Sequence, residues 1–68
     1  MQLGIITRWN PKFRIGIIVA AEGNFFLQES EILSGWPSTG CDVLFEASKR
    51  APMPGKMPEA LNVQVLPK

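Results

Sequence analysis

The stretch from residue 15 to residue 28 constrains the fold more than any other part of the chain. It begins with Ile-Gly-Ile-Ile-Val-Ala-Ala, continues through Glu22, Gly23 and Asn24, and ends with Phe-Phe-Leu-Gln. β-branched and aromatic residues suit the pleated surface of a sheet, while glycine and asparagine tolerate the backbone angles of a tight turn. The stretch therefore predicts a β-hairpin with its turn at residues 22–24.

Three further segments, residues 4–9, 41–47 and 60–66, have the composition of β-strands. Alternation in the last two predicts one apolar face each, formed by Cys41, Val43 and Phe45 and by Leu61, Val63 and Val65. The first hairpin strand is apolar on both faces, so alternation does not show which face is buried. In the second hairpin strand, the polar Gln28 indicates that Phe26 faces outward with it.

The connections between these strands carry turn and loop signals. Asn10 and Pro11 predict a turn after the first strand, and Ser30 predicts the cap of a single helical or 3₁₀ turn. Residues 36–40 predict a loop, and the three prolines within residues 48–58 predict an exposed basic loop. Five short strands predict an all-β barrel or sandwich.

Composition limits the size and class of the protein. A chain of 68 residues is expected to form one domain, and 46% hydrophobic residues with 19% charged residues exclude a disordered chain. The net charge is only +1, so any attraction for a polyanion must be local. The single cysteine fits a reducing compartment, and no apolar stretch is long enough to span a membrane, so we expect a soluble, cytoplasmic protein.

Catalysis is not expected from these residues. The chain has no histidine, which removes the common general base and the usual zinc ligand sets. Cys41 falls on the apolar face of its strand, where a buried thiol is inert. We therefore expect a protein that is not an enzyme and that uses no metal and no cofactor.

Basic residues interleaved with aromatic residues favour a binding function instead. Bases of single-stranded nucleic acid stack on aromatic rings for roughly 1–3 kcal/mol each, while cations track the phosphates. The residues of this kind are Arg8, Trp9, Lys12, Phe13, Arg14, Phe26, Trp36, Lys49, Arg50 and Lys56. Core or turn packing is the alternative interpretation of Trp9 and Phe13, and ordinary solvated surface is the alternative for the lysines.

Four segments together resemble the cold-shock domain. Residues 4–10 read Gly-Ile-Ile-Thr-Arg-Trp-Asn, similar to the family's opening G-x-V-K-W-F-N. Residues 13–18, Phe-Arg-Ile-Gly-Ile-Ile, align with its first ribonucleoprotein-type motif, K-G-F-G-F-I. Residues 25–32, Phe-Phe-Leu-Gln-Glu-Ser-Glu-Ile, align with the second motif, V-F-V-H-F-S-x-I, and residues 58–63 match the closing P-x-A-x-N-V.

The chain departs from the family at its binding face. The positions that differ are Arg8, Ile15, Ile17, Gln28 and Glu29. The family has a tryptophan, two phenylalanines, a histidine and a phenylalanine there, in that order. Phe26 keeps its stacking type, Trp36 is a candidate for a loop aromatic of the family, and Arg14 replaces a glycine. Because isoleucine has no π face for a base, these changes predict weaker binding.

The resemblance implies a single cold-shock-like domain over residues 1–68, a five-stranded antiparallel barrel of the oligonucleotide/oligosaccharide-binding (OB) fold. It also implies weak binding of single-stranded DNA or RNA with little sequence preference. The predicted nucleic-acid-binding residues are Arg8, Lys12, Arg14, Ile15, Ile17, Phe26, Gln28, Trp36 and Lys56. The alternative is a protein-interaction or self-association module with an aliphatic face around Ile15, Ile17 and Phe26, to which Leu44 is a candidate addition.

Overall fold

A computed structural model of the protein describes residues 1–50, 52 and 54–67. Its strands are β1 (Gln2–Asn10), β2 (Ile15–Ala20), β3 (Gly23–Gln28), β4 (Ile32–Ser34), β5 (Asp42–Ala47) and β6 (Ala60–Val65). They form one sheet in the order β3-β2-β1-β5-β6-β4, which curls into a half-barrel. The all-β class predicted from the sequence is confirmed.

The sheet has six strands where five were predicted. The additional strand is β4, which pairs in parallel with β6 and places Ile32 opposite Val63. Ile32 also packs against the core, and this burial favours a strand over a continued helical turn.

A single 3₁₀ turn precedes β4, but the predicted cap is wrong. The turn spans Glu29–Glu31, and its N-cap residue is Gln28, which makes no capping hydrogen bond through its side chain. Ser30 therefore lies inside the turn and does not begin it.

The predicted hairpin is confirmed, with an earlier turn. β2 and β3 pair antiparallel, and Ala20 lies opposite Gly23, so the loop consists of Ala21 and Glu22. Gly23 and Asn24 already belong to β3. Gly23 has a φ of 131°, which glycine adopts readily. This conformation connects the turn to the first residue of β3.

The long strand β1 pairs with β2 on one side and with β5 on the other. Gly4 lies where the two pairings overlap, opposite Ala20 and Val43. A methyl group at Gly4 would lie 2.6 Å from Cγ2 of Ile18 and 3.0 Å from Cε1 of Phe45. Only glycine therefore permits the close packing of these two side chains against β1.

The core of the described residues is apolar. Its buried members are Ile6, Ile18, Phe25, Leu27, Cys41, Val43, Phe45, Ala60, Val63 and Val65. The rings of Phe25 and Phe45 meet edge to face, with centroids 4.9 Å apart. The predicted inner face of β5 is confirmed, as is the outward direction of Phe26.

The predicted apolar face of β6 is correct at two positions and wrong at one. Val63 and Val65 are buried, but Leu61 is only half-buried and Ala60 is buried instead. Asn62 has a φ of 51°, and the pairing between β6 and β5 changes register around it. Such an irregularity changes the side to which the following residues point, and simple alternation does not reveal it.

The predicted loops at residues 36–40 and 48–58 are confirmed where the structure describes them. Ala51 and Met53, within the second loop, lie outside the described residues. No helix in the described ranges is long and apolar enough to cross a membrane.

Truncation of Phe45 is expected to unfold much of the protein. The side chain is fully buried, so Phe45→Ala should cost about 3–5 kcal/mol. That loss is comparable to the total stability of a domain this small, at about 0.05–0.15 kcal/mol per residue. Urea unfolding followed by tryptophan fluorescence measures it. Leu33→Ala, at a side chain that is 64% exposed, is the control and should change stability by less than about 0.5 kcal/mol. An unchanged midpoint for Phe45→Ala would contradict this core.

Candidate nucleic-acid interface

A surface depression of about 520 Å³ lies on the outer face of β2 and β3, and we call it the central groove. Its lining residues are Thr7, Arg8, Trp9, Asn10, Pro11, Ile15, Gly16, Ile17, Phe26, Thr39 and Met57. The hairpin thus supplies the floor, while β1, the turn after it and two loops supply the walls.

The floor of the central groove is apolar. Ile17 lies directly opposite Phe26, so these side chains are neighbours on one face, with Ile15 two residues along β2. Gly16 and Ile18 are buried on the inner face, and their burial directs Ile15 and Ile17 outward. The structure therefore decides the orientation that alternation left open. All three floor side chains are half-buried and accessible.

An irregularity in β1 brings Arg8 to the edge of the groove. Ile6 lies opposite Ile18, but the register then shifts, and Arg8 lies opposite Ile17. Thr7 is the extra residue of this bulge. The exposed guanidinium group of Arg8 therefore belongs to the same depression as the aliphatic floor.

Gly16 allows Trp9 to lie against the hairpin. The two residues are opposite each other, and a methyl group at Gly16 would collide with the carbonyl oxygen of Arg8 and the ring of Trp9. Trp9 is half-buried and packs against the core while one side lines the groove. The packing interpretation of Trp9 is confirmed.

The loop before β6 is attached to the edge of the hairpin. The N–H of Phe26 donates to the carbonyl oxygen of Pro58 at 2.8 Å, and Phe26 forms an isolated parallel bridge with Glu59. This attachment places Met57 in the wall of the groove. Thr39 reaches the groove from the loop between β4 and β5.

The turn between β1 and β2 is held by Asn10. Its Oδ1 accepts hydrogen bonds from the N–H groups of Lys12 at 3.0 Å and Phe13 at 3.2 Å. The N–H of Arg14 donates to the carbonyl oxygen of Asn10 at 2.7 Å. The predicted turn is confirmed, and it leaves Phe13 65% exposed, so core packing is the wrong interpretation of Phe13.

A second depression of about 350 Å³ adjoins the central groove, and we call it the turn depression. Its lining residues are Phe13, Arg14, Ile15, Gln28, Glu29 and Ser30. Nη1 of Arg14 lies 3.7 Å from Oε1 of Glu29, in an exposed ion pair. The N–H of Glu29 also donates to the carbonyl oxygen of Arg14 at 3.0 Å, which joins the ends of β2 and β3. Ile15 is common to both depressions.

A third depression of about 230 Å³, the loop depression, adjoins the central groove. Its lining residues are Ser48, Arg50, Pro52, Lys56, Met57, Pro58 and Glu59. Met57 is shared with the central groove, so the three depressions are connected in a row through Ile15 and Met57.

The structure distributes the predicted site residues over these depressions. The central groove contains Arg8, Ile15, Ile17 and Phe26. The turn depression contains Arg14 and Gln28, and the loop depression contains Lys56. Lys12 and Trp36 line none of the three. Nζ of Lys12 lies 5.6 Å from the centroid of the Phe13 ring, and Trp36 is 90% exposed on the loop after β4.

Thr39 and Met57 line the central groove but were not predicted from the sequence. Phe13, which lines the turn depression, was among the interleaved aromatic residues but not among the nine predicted nucleic-acid-binding residues. Its place on the Asn-Pro turn favoured exposure, since a large ring on a tight exposed turn has little core to reach. No local pattern marks Thr39 or Met57, because both reach the groove through long-range contacts.

Leu44 does not join the aliphatic floor of the central groove. It lies opposite Leu3 on the outer face of β1 and β5, away from the hairpin residues that line the groove. The apolar patch of the alternative interpretation is therefore limited to Ile15, Ile17 and Phe26.

The described residues contain no group of three or more histidine, cysteine, aspartate or glutamate side chains placed to hold a metal ion. Cys41 is buried, with its Sγ 3.1 Å from Oγ of Ser38. No family model matches the chain, and a search of curated proteins finds no significant relative.

Removal of the Asn10 side chain is expected to loosen the turn that presents Phe13. Asn10→Ala deletes an acceptor used by two backbone N–H groups, so it should cost about 1 kcal/mol of unfolding free energy. Urea unfolding measures the loss. Asn24→Ala, at an exposed position of β3, is the matched control and should be near neutral. Equal stabilities of the two variants would show that these hydrogen bonds do not hold the turn.

Proposed function

We propose that the chain is an OB-like barrel, resembling a cold-shock domain, that binds single-stranded nucleic acid through the central groove. Binding is weak, reversible and largely independent of sequence. The protein acts as a binding module and not as an enzyme, and needs no cofactor.

The topology supports the OB interpretation. OB folds are partly open Greek-key barrels of five strands. If the short β4 is set aside, the remaining strands comprise a three-stranded meander, β1 to β3, followed by two strands, the first of which pairs with β1. The parallel bridge between Phe26 and Glu59 brings β3 to the beginning of the last strand, so the sheet approaches closure.

The observation that carries the proposal is the position of the central groove. OB folds bind oligonucleotides on the face of their second and third strands, between the loop that joins the first two strands and the loop that joins the last two. The central groove has floor residues from β2 and β3, with Pro11 from the first of these loops and Met57 from the last. Because a fold hosts many functions, the chemistry of the groove must also fit the ligand.

The side chains of the central groove suit a nucleotide. Phe26 offers a ring face for a base, and Ile15 and Ile17 contact the base or the sugar through aliphatic groups. Arg8 is exposed at the edge, where its guanidinium group pairs with a phosphate or stacks on a second base. Lys56 in the loop depression supplies a further cation along the same row.

Low affinity and low sequence preference follow from the same residues. Every base has a π face, so stacking on Phe26 discriminates little among them. The isoleucines add no stacking, and the ion pair with Glu29 reduces the positive field of Arg14. Lys12 and Trp36 lie outside the three depressions, so they contribute only where the strand extends beyond them.

A protein interface is the second candidate function, and the aliphatic floor favours it. Ile15 and Ile17 beside Phe26 form an accessible apolar surface of the kind found at the centre of interfaces. A partner protein or a second copy of the chain would cover the floor without using the charge of Arg8.

Titration of fluorescent oligo-dT and oligo-U at two salt concentrations tests the proposal. We expect weaker binding at high salt, with a slope of about 0.7 per phosphate neutralised. Phe26→Ala should lose about 1–3 kcal/mol of binding free energy, and Arg8→Ala should lower both the affinity and the salt slope. Leu33→Ala, on β4 away from the groove, is the control.

Circular dichroism of each variant verifies that it remains folded. Absence of binding by the wild-type protein at low salt would overturn the nucleic-acid proposal. If sedimentation then showed a dimer that Ile17→Asp dissociates, the groove would be a protein interface.

A further inference from the structure

The geometry points to a second nucleotide subsite, in the turn depression. In the free protein, the carboxylate of Glu29 forms an ion pair with Arg14, the cation of this subsite. We propose that the same single strand passes from the central groove over Ile15 to Phe13, where a base stacks on the ring. The adjacent phosphate takes the place of Glu29 as the partner of Arg14. This inference rests on the proposed function of the central groove.

Phe13 is suited to stacking because the backbone holds it in an exposed position. The residue is 65% exposed and is not part of the core. Asn10 Oδ1 accepts a hydrogen bond from the N–H of Phe13, so the turn is ordered in the free protein. Nζ of Lys12 lies over one face of the ring, 5.6 Å from its centroid, so a base stacks on the opposite face.

Arg14 is the cation of this subsite, and its backbone conformation is uncommon. Its φ of 58° lies in the left-handed region, which glycine adopts at lower cost than arginine. A strained residue at a ligand-facing position is consistent with a functional role. Arg14 and Phe13 line the same depression, so one nucleotide can contact both through its phosphate and its base.

Glu29 competes with a phosphate for Arg14. Their side chains form an ion pair at 3.7 Å and remain 70% and 48% exposed, so a phosphate oxygen can approach the guanidinium group from solvent. Exposed ion pairs of this kind are weak, and a phosphate can replace the carboxylate. The carboxylate that remains nearby then repels the phosphate, which lowers the affinity of the whole site.

The central groove and the turn depression adjoin, so a single strand can occupy both. Ile15 lines both, and in β2 it lies two residues from Ile17 of the central floor. A strand that leaves the central groove over Ile15 therefore enters the turn depression, which Phe13 lines. The loop depression shares Met57 with the central groove and shares no lining residue with the turn depression.

Replacement of the Glu29 carboxylate with a neutral amide tests whether Glu29 competes with a phosphate for Arg14. Glu29→Gln should bind oligo-dT about two- to five-fold more tightly at low salt, with a salt slope steeper by about 0.7. Glu22→Gln, in the hairpin loop at the other end of β2 and β3, makes the same change in net charge and is the matched control. The gain from Glu29→Gln should disappear in an Arg14→Gln background, because the phosphate contact is then missing.

Phe13→Ala tests the stacking contact. We expect a loss of affinity of about five-fold or more, with the salt slope unchanged because no charge is removed. Leu33→Ala, which is equally exposed but lies on β4, is the control and should bind like the wild type.

The outcomes separate this inference from the proposed function. If wild type binds with dependence on Phe26 and Arg8, but Glu29→Gln matches Glu22→Gln and Phe13→Ala matches Leu33→Ala, the turn subsite is overturned and the central groove stands. Absence of binding by the wild type and by Glu29→Gln alike overturns both. A gain for Glu29→Gln that persists in the Arg14→Gln background also overturns the proposed competition.

Discussion

The packing of Ile18 and Phe45 over Gly4 is the constraint on which the curled sheet depends. These side chains come from β2 and β5, the two neighbours of β1, and they meet where β1 has no side chain of its own. The two halves of the sheet can therefore fold toward each other around one core. Burial of Ile18 also sets the facing of β2, which directs Ile15 and Ile17 to the outer surface. The position of the central groove is thus a consequence of how the core closes.

Apolar and charged side chains are concentrated in different, adjoining depressions of the surface. The central groove carries the aliphatic and aromatic floor with Arg8 at its edge, while Arg14 lines the turn depression and Lys56 the loop depression. The net charge of the chain is only +1, so positive charge is local to these positions. Glu29 offsets part of it through its ion pair with Arg14.

Local patterns predicted the features that depend on neighbouring residues. Alternation identified the inner face of β5 and the outward Phe26, and turn signals located the turn at Asn10. The features that depend on long-range pairing were not predictable in this way. The bulge at Asn62 reverses the facing of Leu61, β4 exists because β6 lies beside it, and Met57 reaches the groove because Pro58 is bonded to β3. Alternation in the first hairpin strand was uninformative because both faces are apolar.

The two edges of the sheet, β3 and β4, have few unpaired backbone groups for contacts with other molecules. Pro58 and Glu59 already occupy part of the β3 edge, at Phe26. The opposite edge is β4, which has only three residues and a register shift in its pairing. Short or covered edges leave few backbone groups for a strand from a neighbouring molecule. Growth of the sheet from copy to copy is therefore disfavoured relative to contacts through side-chain surfaces.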